Sequence, residues 1–379
     1  MRRSRTAVRA AIAAAIAAVL LSGCGGNKRV DAPSDHHTDS GFVNLDGSRI
    51  EPSLSAVADF NWKMWRTERA PVPAELRPMA PDVGYLQRNR TEDTVTWIGH
   101  STALVQLGGL NVLTDPQFSK RASPLSWWGP KRRTDPALLL TELPKIDVVL
   151  ISHDHYDHLD EASVKQLIAR DDPQFIVPLG IDTLLREWGA HRVLGLDWWQ
   201  STHVDAQPMG VDFTLTPAHH WGRRGLFDRN QRLWGGFVMD AIDFKVFFAG
   251  DSGYDRTFKQ IGDRYGPFDL ALIPIGSYEP RDFLEPQHVD PVQAVQIHLD
   301  LHAEQSVAIH WGTFDLALEQ LDAPRVALLA ATRAAGLDDR EFMAFRLGET
   351  GIWKYETKPD LRGTSRQNPR RQWRKGEPR

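Results

Sequence analysis

Five side chains of metal-ligand type lie within one six-residue stretch of the chain, His153-Asp154-His155-Tyr156-Asp157-His158. They follow the apolar run 148–151, which is typical of a buried strand. Because residues i and i+2 of an extended segment point the same way, His153 and His155 are placed to bind one metal ion. The turning chain then directs Asp157 and His158 toward a second ion. A solvated, histidine-rich loop is the competing interpretation, but so dense a set of ligand types favours a metal site.

Three more predicted strands end in residues of the same kind. The run 211–216 is followed by His219 and His220, the run 245–249 by Asp251, and the run 306–309 by His310. Sites in α/β sheets form at the C-terminal ends of strands, so we expect these side chains to meet the first group. Asp251 is isolated after its strand and is the natural carboxylate to bridge two ions.

The ligand types indicate the chemistry of the predicted site. Imidazole and carboxylate without thiolate suit zinc, with iron or manganese as alternatives. Two ions roughly 3.5–4 Å apart share a hydroxide and lower the pKa of bound water to about 7, which supplies a nucleophile at neutral pH. The pattern therefore predicts a hydrolase with two Zn²⁺ per chain, in which Asp157 and Asp251 belong to the catalytic machinery.

Composition and the N-terminal segment indicate the cellular compartment. The formal net charge of −4 gives no reason to expect nucleic acid binding. The single cysteine, Cys24, follows a basic start, an apolar run at 10–20 and Leu21-Ser22-Gly23. This order resembles a bacterial lipoprotein leader in which Cys24 carries lipid, and a plain signal peptide is the alternative. We expect a periplasm-facing lipoprotein whose N-terminal lipid enters the membrane, and Gly25 favours the outer membrane.

The patterns divide the chain into four parts. These are a signal peptide (1–23), a tether and N-terminal extension (24–90), a hydrolase domain (91–355) and a basic, disordered tail (356–379). Up to about residue 50 the extension is predicted to be a solvated tether that includes His36 and His37. A helix near 54–65 is expected to pack on the domain, or alternatively to face lipid.

Within the domain, strands and helices can be placed from local signals. Gly108-Gly109 marks a hairpin between strands 102–107 and 110–114. Helices are predicted after the N-cap residues Asp160 and Asp290. Strands cluster at the start of the domain and alternate with helices later, which predicts mixed sheets covered by helices.

Residues 153–158, as HxHxDH, resemble the metallo-β-lactamase superfamily, and His155 stands where redox di-iron members carry glutamate, which favours hydrolysis. Most of residues 90–350 further resemble the N-acylphosphatidylethanolamine-hydrolysing phospholipase D family and its bacterial relatives. The matching stretches are TWIGHST (96–102), LTDP (113–116), GPKR (129–132), ISHDHYDHLD (151–160), TPAHHW (216–221), LWGG (233–236), FFAGDSGY (247–254), IPIGSYEPR (273–281), QHVDP (287–291) and AIHWGTF (308–314).

The resemblance implies a four-layer αββα sandwich and a residue-by-residue site. It implies that one ion takes His153, His155 and His220, that the other takes Asp157, His158 and His310, and that Asp251 bridges. His219 then fills a variable position. Tyr156 and His288 match positions beside the substrate, and His288 matches a histidine that contacts its phosphate. For Tyr156 packing is the alternative, and for Lys131 and Arg132 a phosphate contact and a solvated loop are equal alternatives. Asp115 resembles a structural aspartate that orients the metal loop, and His100 is expected behind the ligands.

The implied activity is hydrolysis of a phosphodiester in a phospholipid of the N-acylphosphatidylethanolamine type. The metal-bridging hydroxide would attack phosphorus while His288 positions the phosphate. A lactonase or amidase that uses the same dinuclear site, and a zinc-stabilised binding module, are the alternatives. The expected partners are a phospholipid or other small ester, and a membrane, without nucleic acid.

Overall fold

The computed structural model describes residues 36–207, 209–354 and 372–375. Cys24, the predicted signal peptide and most of the predicted tail lie outside these residues. The strands are β1 (His37–Thr38), β2 (Gly41–Phe42), β3 (Asp93–Gly99), β4 (Thr102–Leu107), β5 (Leu110–Thr114), β6 (Val148–Leu150), β7 (Gln174–Pro178), β8 (Val193–Leu196), β9 (Ser201–Val204), β10 (Val211–Thr216), β11 (Gly236–Asp240), β12 (Lys245–Phe248), β13 (Phe268–Pro274), β14 (Ala303–Ile309), β15 (Phe342–Met343), β16 (Thr350–Lys354) and β17 (Gln372–Lys375).

The strands pair into two large mixed sheets. The first has the order β17-β16-β3-β4-β5-β6-β7-β8, and the second has the order β15-β14-β13-β12-β11-β10-β9. β5 to β8 run parallel in the first sheet, and β12 to β15 run parallel in the second. The predicted hairpin joins β4 and β5, with Leu107 opposite Leu110. The parallel parts bring the C-terminal ends of their strands to one edge of each sheet.

Side chains alternate between the two faces of each strand, as the pleat requires. On β4, Val105 belongs to an apolar cluster that includes Phe213 of the second sheet. Its neighbour Leu104 belongs to a separate cluster on the opposite face, together with Val164 of a covering helix. The two sheets therefore pack on each other, with helices outside. This is the α/β, four-layer αββα metallo-β-lactamase sandwich that the resemblance implied, and that fold is confirmed.

Eight α-helices are present in the described part of the chain. The two helices predicted in the domain form: Asp160 accepts a hydrogen bond from Ser163 N, and Asp290 accepts one from Gln293 N ahead of Pro291. The helices are α1 (Leu54–Arg66), α2 (Val83–Arg88), α3 (Glu161–Asp171), α4 (Ile181–Glu187), α5 (Thr257–Tyr265), α6 (Arg281–Leu284), α7 (Pro291–Asp300) and α8 (Ala323–Ala334).

Helix α1 forms as predicted but contacts the domain over a narrow area. None of its residues is buried. Phe60 stacks on Phe283, with ring centroids 4.7 Å apart, whereas Trp62 and Trp65 are exposed. Within the described ranges, no helix combines the length and apolar character needed to cross a bilayer.

The prediction of a solvated tether up to residue 50 is wrong for its described part. His36 and His37 each place Nε2 on a different oxygen of Asp197, at 2.8 and 2.9 Å. His36 also stacks on Trp198, with centroids 4.1 Å apart. One buried carboxylate thus binds both histidines, so this segment is part of the folded domain.

The predicted tail also needs a partial correction. Gln372–Lys375 form β17, which pairs antiparallel with β16 at the edge of the first sheet. The prediction of disorder does not hold for these four residues, because the free edge of β16 gives their backbone groups hydrogen-bonding partners. The rest of that segment lies outside the described residues.

Candidate metal centre

Four strand ends deliver the predicted ligands to one place. β6 leads into His153–His158, β10 into His220, β12 into Asp251 and β14 into His310. The chain turns sharply at these ends, with φ of 63° at Gly250 and 59° at His310. A Cβ on Gly250 would lie 2.6 Å from Ser152 Cβ, so only glycine lets Asp251 approach the 153–158 loop this closely.

Three histidines form the first group. His155 Nδ1 lies 2.9 Å from His153 Nε2 and 3.4 Å from His220 Nε2. His155 Nδ1 cannot hydrogen-bond well to both nitrogens at once, since each ring nitrogen carries at most one proton. Nitrogens converging at such distances fit the edges of a metal coordination polyhedron, with imidazole nitrogens about 2.0–2.1 Å from zinc.

Two histidines and two aspartates form the second group. Asp251 Oδ2 lies 3.1 Å from both His158 Nε2 and His310 Nε2. Asp157 Oδ2 lies 3.4 and 3.5 Å from the same two nitrogens. Asp251 Oδ2 is also 4.0 Å from His153 Nε2, so this carboxylate connects the two groups.

Buried polar atoms in both groups lack hydrogen-bonding partners. Asp251 Oδ1 and His155 Nε2 have no partner, and the Nε2 atoms of His158 and His310 face carboxylate oxygens without forming hydrogen bonds. Leaving such atoms unsatisfied costs about 1–3 kcal/mol each, more for a charged group. The converging oxygens and nitrogens therefore fit divalent cations that take imidazole and carboxylate ligands. The seven predicted ligands lie together, and their individual roles remain predictions.

The charges differ between the two groups. In the first group, burial lowers the pKa of His155 to about 4 and that of His220 to about 3, so both rings are neutral and ready to bind metal. In the second group, burial opposes protonation of His310, but Asp251 and Asp157 raise its pKa to about 9. Burial disfavours ionised Asp251, yet His158 and His310 hold its pKa well below the usual range. A metal cation that binds the second group must therefore displace the proton that His310 carries at neutral pH.

Asp115 supports the ligand loop from behind, as the resemblance implied. It is fully buried and accepts hydrogen bonds from Ser152 N at 2.7 Å and Ser152 Oγ at 2.6 Å. Its Oδ2 also lies 2.6 Å from His158 Nδ1. This contact fixes the His158 tautomer that directs Nε2 at the second group.

His100 lies beside the second group. Its Nε2 is 3.0 Å from Asp157 Oδ2, and its ring centroid is 4.2 Å from that of His310. Its backbone has φ of 54°, and its carbonyl accepts from His310 N. The side chain is nearly fully buried, which agrees with the expected place behind the ligands.

The two adjacent histidines after β10 have different surroundings. His220 directs Nε2 at the first group, while its Nδ1 lies 3.0 Å from Gln287 O. His219 turns away, with Nδ1 2.7 Å from Pro286 O and Nε2 3.1 Å from Ser48 Oγ. The geometry agrees with the assignment of His220 rather than His219.

The residues predicted to contact the substrate have different surroundings. His288 lies over the centre, with Nδ1 3.7 Å from Asp251 Oδ2 and no hydrogen-bonding partner. Tyr156 instead donates its hydroxyl to Arg224 O, and the Arg224 guanidinium lies 4.1 Å from its ring centroid. This geometry favours packing for Tyr156. Lys131 is exposed, whereas Arg132 is buried and donates to Gln117 Oε1 at 2.6 Å.

Three supporting residues were not predicted from the sequence. Asn44 Oδ1 accepts the His220 N–H at 2.9 Å. Arg224 donates to the carbonyls of Asp154 and Leu159, at the two ends of the ligand loop. Glu319 accepts backbone N–H groups from residues 277–279, beside a cleft that His100 and His310 also line.

Comparison with known proteins gives consistent results. Residues 110–311 match the family model described as a β-lactamase superfamily domain. The chain is 40% identical over 269 residues to N-acyl-phosphatidylethanolamine-hydrolyzing phospholipase D 1 of Caenorhabditis elegans, covering 68% of this chain and 75% of that protein. It is 30% identical over 230 residues to a metal-dependent hydrolase of Nitratidesulfovibrio vulgaris, covering 60% of this chain and 82% of that one.

A solved structure shows the same fold. The metallo hydrolase Igni18 of Ignicoccus hospitalis superposes with a TM-score of 0.54 at 24% identity, covering 70% of this chain and all of that one. These matches agree with the two packed sheets and with the histidines and aspartates that converge at the strand ends. The chain therefore belongs to the metallo-β-lactamase superfamily as a metal-dependent hydrolase.

Proposed function

We propose that the chain is a dinuclear zinc-dependent phosphodiesterase that cleaves phospholipids of the N-acylphosphatidylethanolamine type, as a phospholipase D does. One observation carries the proposal: two adjacent ligand groups converge, with Asp251 in contact with both. The 40% identity to a nematode enzyme with this activity in its name supports the substrate class.

Two divalent cations held here would supply Lewis-acid activation of water and of phosphoryl oxygens. The chain's own groups provide positioning. Asp115 orients His158, Gln287 O orients His220, and His100 braces Asp157. His288 presents an unpartnered ring nitrogen above the centre, where it is placed to contact a phosphate oxygen.

The test is incubation of the zinc-loaded full chain with N-acylphosphatidylethanolamine vesicles and detection of phosphatidic acid by mass spectrometry. Asp251→Asn and His220→Ala are expected to abolish product. His219→Ala is the matched control, since His219 faces away from the centre, and it should keep most activity. Absence of phosphatidic acid with zinc, iron and manganese alike would reject this substrate. Hydrolysis of lactones or amides without phosphodiester cleavage would select the alternative.

The proposal includes a place in the bacterial cell envelope. The leader-like residues before Cys24 support a lipid anchor, a periplasm-facing position and, with Gly25, the outer membrane. Cys24→Ser should abolish incorporation of a labelled fatty acid and release the chain from the membrane fraction. Unchanged labelling in this variant would exclude Cys24 as the lipidated residue.

A further inference from the structure

An exposed hairpin lies between β5 and β6 in the chain. Residues 121–131, here called the tryptophan hairpin, are closed by an antiparallel bridge between Arg121 and Lys131. At its tip, Trp127 is 72% exposed and Trp128 is 57% exposed. Tryptophan combines an apolar ring with a polar N–H, so it partitions to the headgroup region of bilayers. Two exposed tryptophans in succession are therefore typical of an interaction surface.

The hairpin is held in shape by specific contacts. The Arg121 guanidinium donates to Ser126 O at 3.2 Å and to Gly129 O at 2.7 Å, and Ala122 N donates to Pro130 O. Gly129 has φ of 100°, and a Cβ there would lie 2.6 Å from Ser123 Cβ. The tip is thus an ordered turn that presents both indoles without further rearrangement.

The charged residues in the hairpin and its immediate flanks along the chain are all basic. Residues 117–134 contain five cations and no aspartate or glutamate. Arg132 is buried and Arg133 pairs with Asp315. Lys120 and Lys131 are exposed and have no carboxylate partner in the described ranges. Free lysines next to exposed tryptophans complement a surface of anionic lipid, where each cation strengthens binding by about fivefold.

The other exposed tryptophan pair lacks this charge pattern. On α1, Trp62 is 54% and Trp65 is 67% exposed. Lys63 there pairs with Asp59 at 2.7 Å, and Arg66 lies over the Trp62 ring. These cations are already engaged, so charge complementarity favours the hairpin over the helix.

Contacts connect the hairpin to the metal centre. Arg132, just after the hairpin, bridges to Phe314 through the backbone and lies 4.9 Å from its ring centroid. Phe314 packs edge-on against His100, at 5.2 Å, and His100 contacts Asp157. The residue that follows the hairpin is therefore linked through Phe314 and His100 to the second ligand group.

We propose that the tryptophan hairpin docks the protein on an anionic bilayer, with Trp127 and Trp128 in the headgroup region and Lys120 and Lys131 facing lipid anions. This proposal extends the proposed function by naming the surface that delivers a lipid substrate. It rests on the proposed function only in that docking would then increase turnover.

The test measures partition of the full chain onto vesicles of phosphatidylcholine with and without phosphatidylglycerol, by sedimentation. Every variant carries the same N-terminal segment, so the contribution of that segment is common to all. Trp127→Ala/Trp128→Ala is expected to weaken partition onto anionic vesicles by about tenfold or more. The control Trp62→Ala/Trp65→Ala removes an equally exposed pair and should weaken it by less than about threefold. Thermal melts verify that both variants fold.

Turnover of the soluble diester bis-p-nitrophenyl phosphate separates the two proposals. Weak partition with normal turnover in the hairpin variant supports docking, whatever the natural substrate is. Normal partition in a parent chain without phosphodiester turnover leaves docking intact and rejects the proposed function. Docking is overturned if the hairpin variant partitions like the parent, if both variants lose partition equally, or if anionic lipid makes no difference.

Discussion

Replacing Asp115 with asparagine tests how the fold prepares the second ligand group. Asp115 is fully buried and uses one oxygen for Ser152 N and the other for Ser152 Oγ and His158 Nδ1. An asparagine offers a single oxygen, which Ser152 N retains. Its amide N–H then faces His158 Nδ1–H, so two donors oppose each other. His158 is driven to the other tautomer, which places a proton on Nε2, the atom directed at the metal.

The size of the effect follows from the lost contact. A hydrogen bond to a charged group contributes about 1.5–3 kcal/mol, and about 1.4 kcal/mol corresponds to a factor of ten in affinity. Asp115→Asn should therefore weaken metal binding by roughly 10- to 100-fold, the range typical of residues that orient ligands. His153 is affected less, because its only link to Asp115 passes through Ser152 Oγ.

Zinc titration against a chromophoric chelator measures this effect. The matched control is Asp147→Asn, which removes a carboxylate bonded to Asn111 N at the opposite end of β6. Both variants should lose stability, but only Asp115→Asn should lose zinc affinity. If Asp115→Asn bound zinc within about twofold of the parent, the tautomer argument would be refuted.

Three further results are expected. The pKa of His310, raised to about 9, stabilises the metal-free protein below pH 6.5, and this stabilisation is lost as pH rises to 9. Because metal binding displaces that proton, the difference in melting temperature between zinc-loaded and metal-free protein should increase from pH 6.5 to 9. A constant difference would contradict this prediction. Tyr156→Phe removes the bond to Arg224 O and should cost about 1 kcal/mol in denaturant unfolding with KM unchanged for a soluble diester; a raised KM would restore a substrate role. Asn44→Ala leaves the backbone N–H of His220 without an acceptor, which should lower the free energy of unfolding by about 1–3 kcal/mol and selectively weaken zinc binding. A stability loss without any change in zinc affinity would count against a link between Asn44 and the metal centre.

The sequence predicted those parts of the site that carry a local signal. Each ligand follows an apolar run that reads as a strand, and strand ends in a parallel sheet share an edge. Spacing alone left His219 and His220 as alternatives, because both follow the same strand. Only the resemblance selected His220, and the direction of its ring agrees.

The remaining contacts depend on chain segments far apart in sequence. Asn44 contacts His220 across 176 residues, and His36 contacts Asp197 across 161. His36 and Asn44 lie in a polar segment without the apolar periodicity that indicates burial. In composition, residues 36–50 therefore resemble a linker. Tertiary packing decided their structure, which is why the boundary predicted near residue 91 omits a segment that supports the centre.

The pairing of β3 with β16 determines when the first sheet can be completed. Thr96 and Thr350 bond to each other across 254 residues, although β3 is the first strand of that sheet in chain order. During synthesis, one edge of β3 stays unpaired until the residues of β16 have emerged, and pairings of such long range form slowly. A chain that stops before residue 350 would leave that edge permanently open and prone to join other chains. Completion of this sheet therefore depends on a segment that is made long after β3.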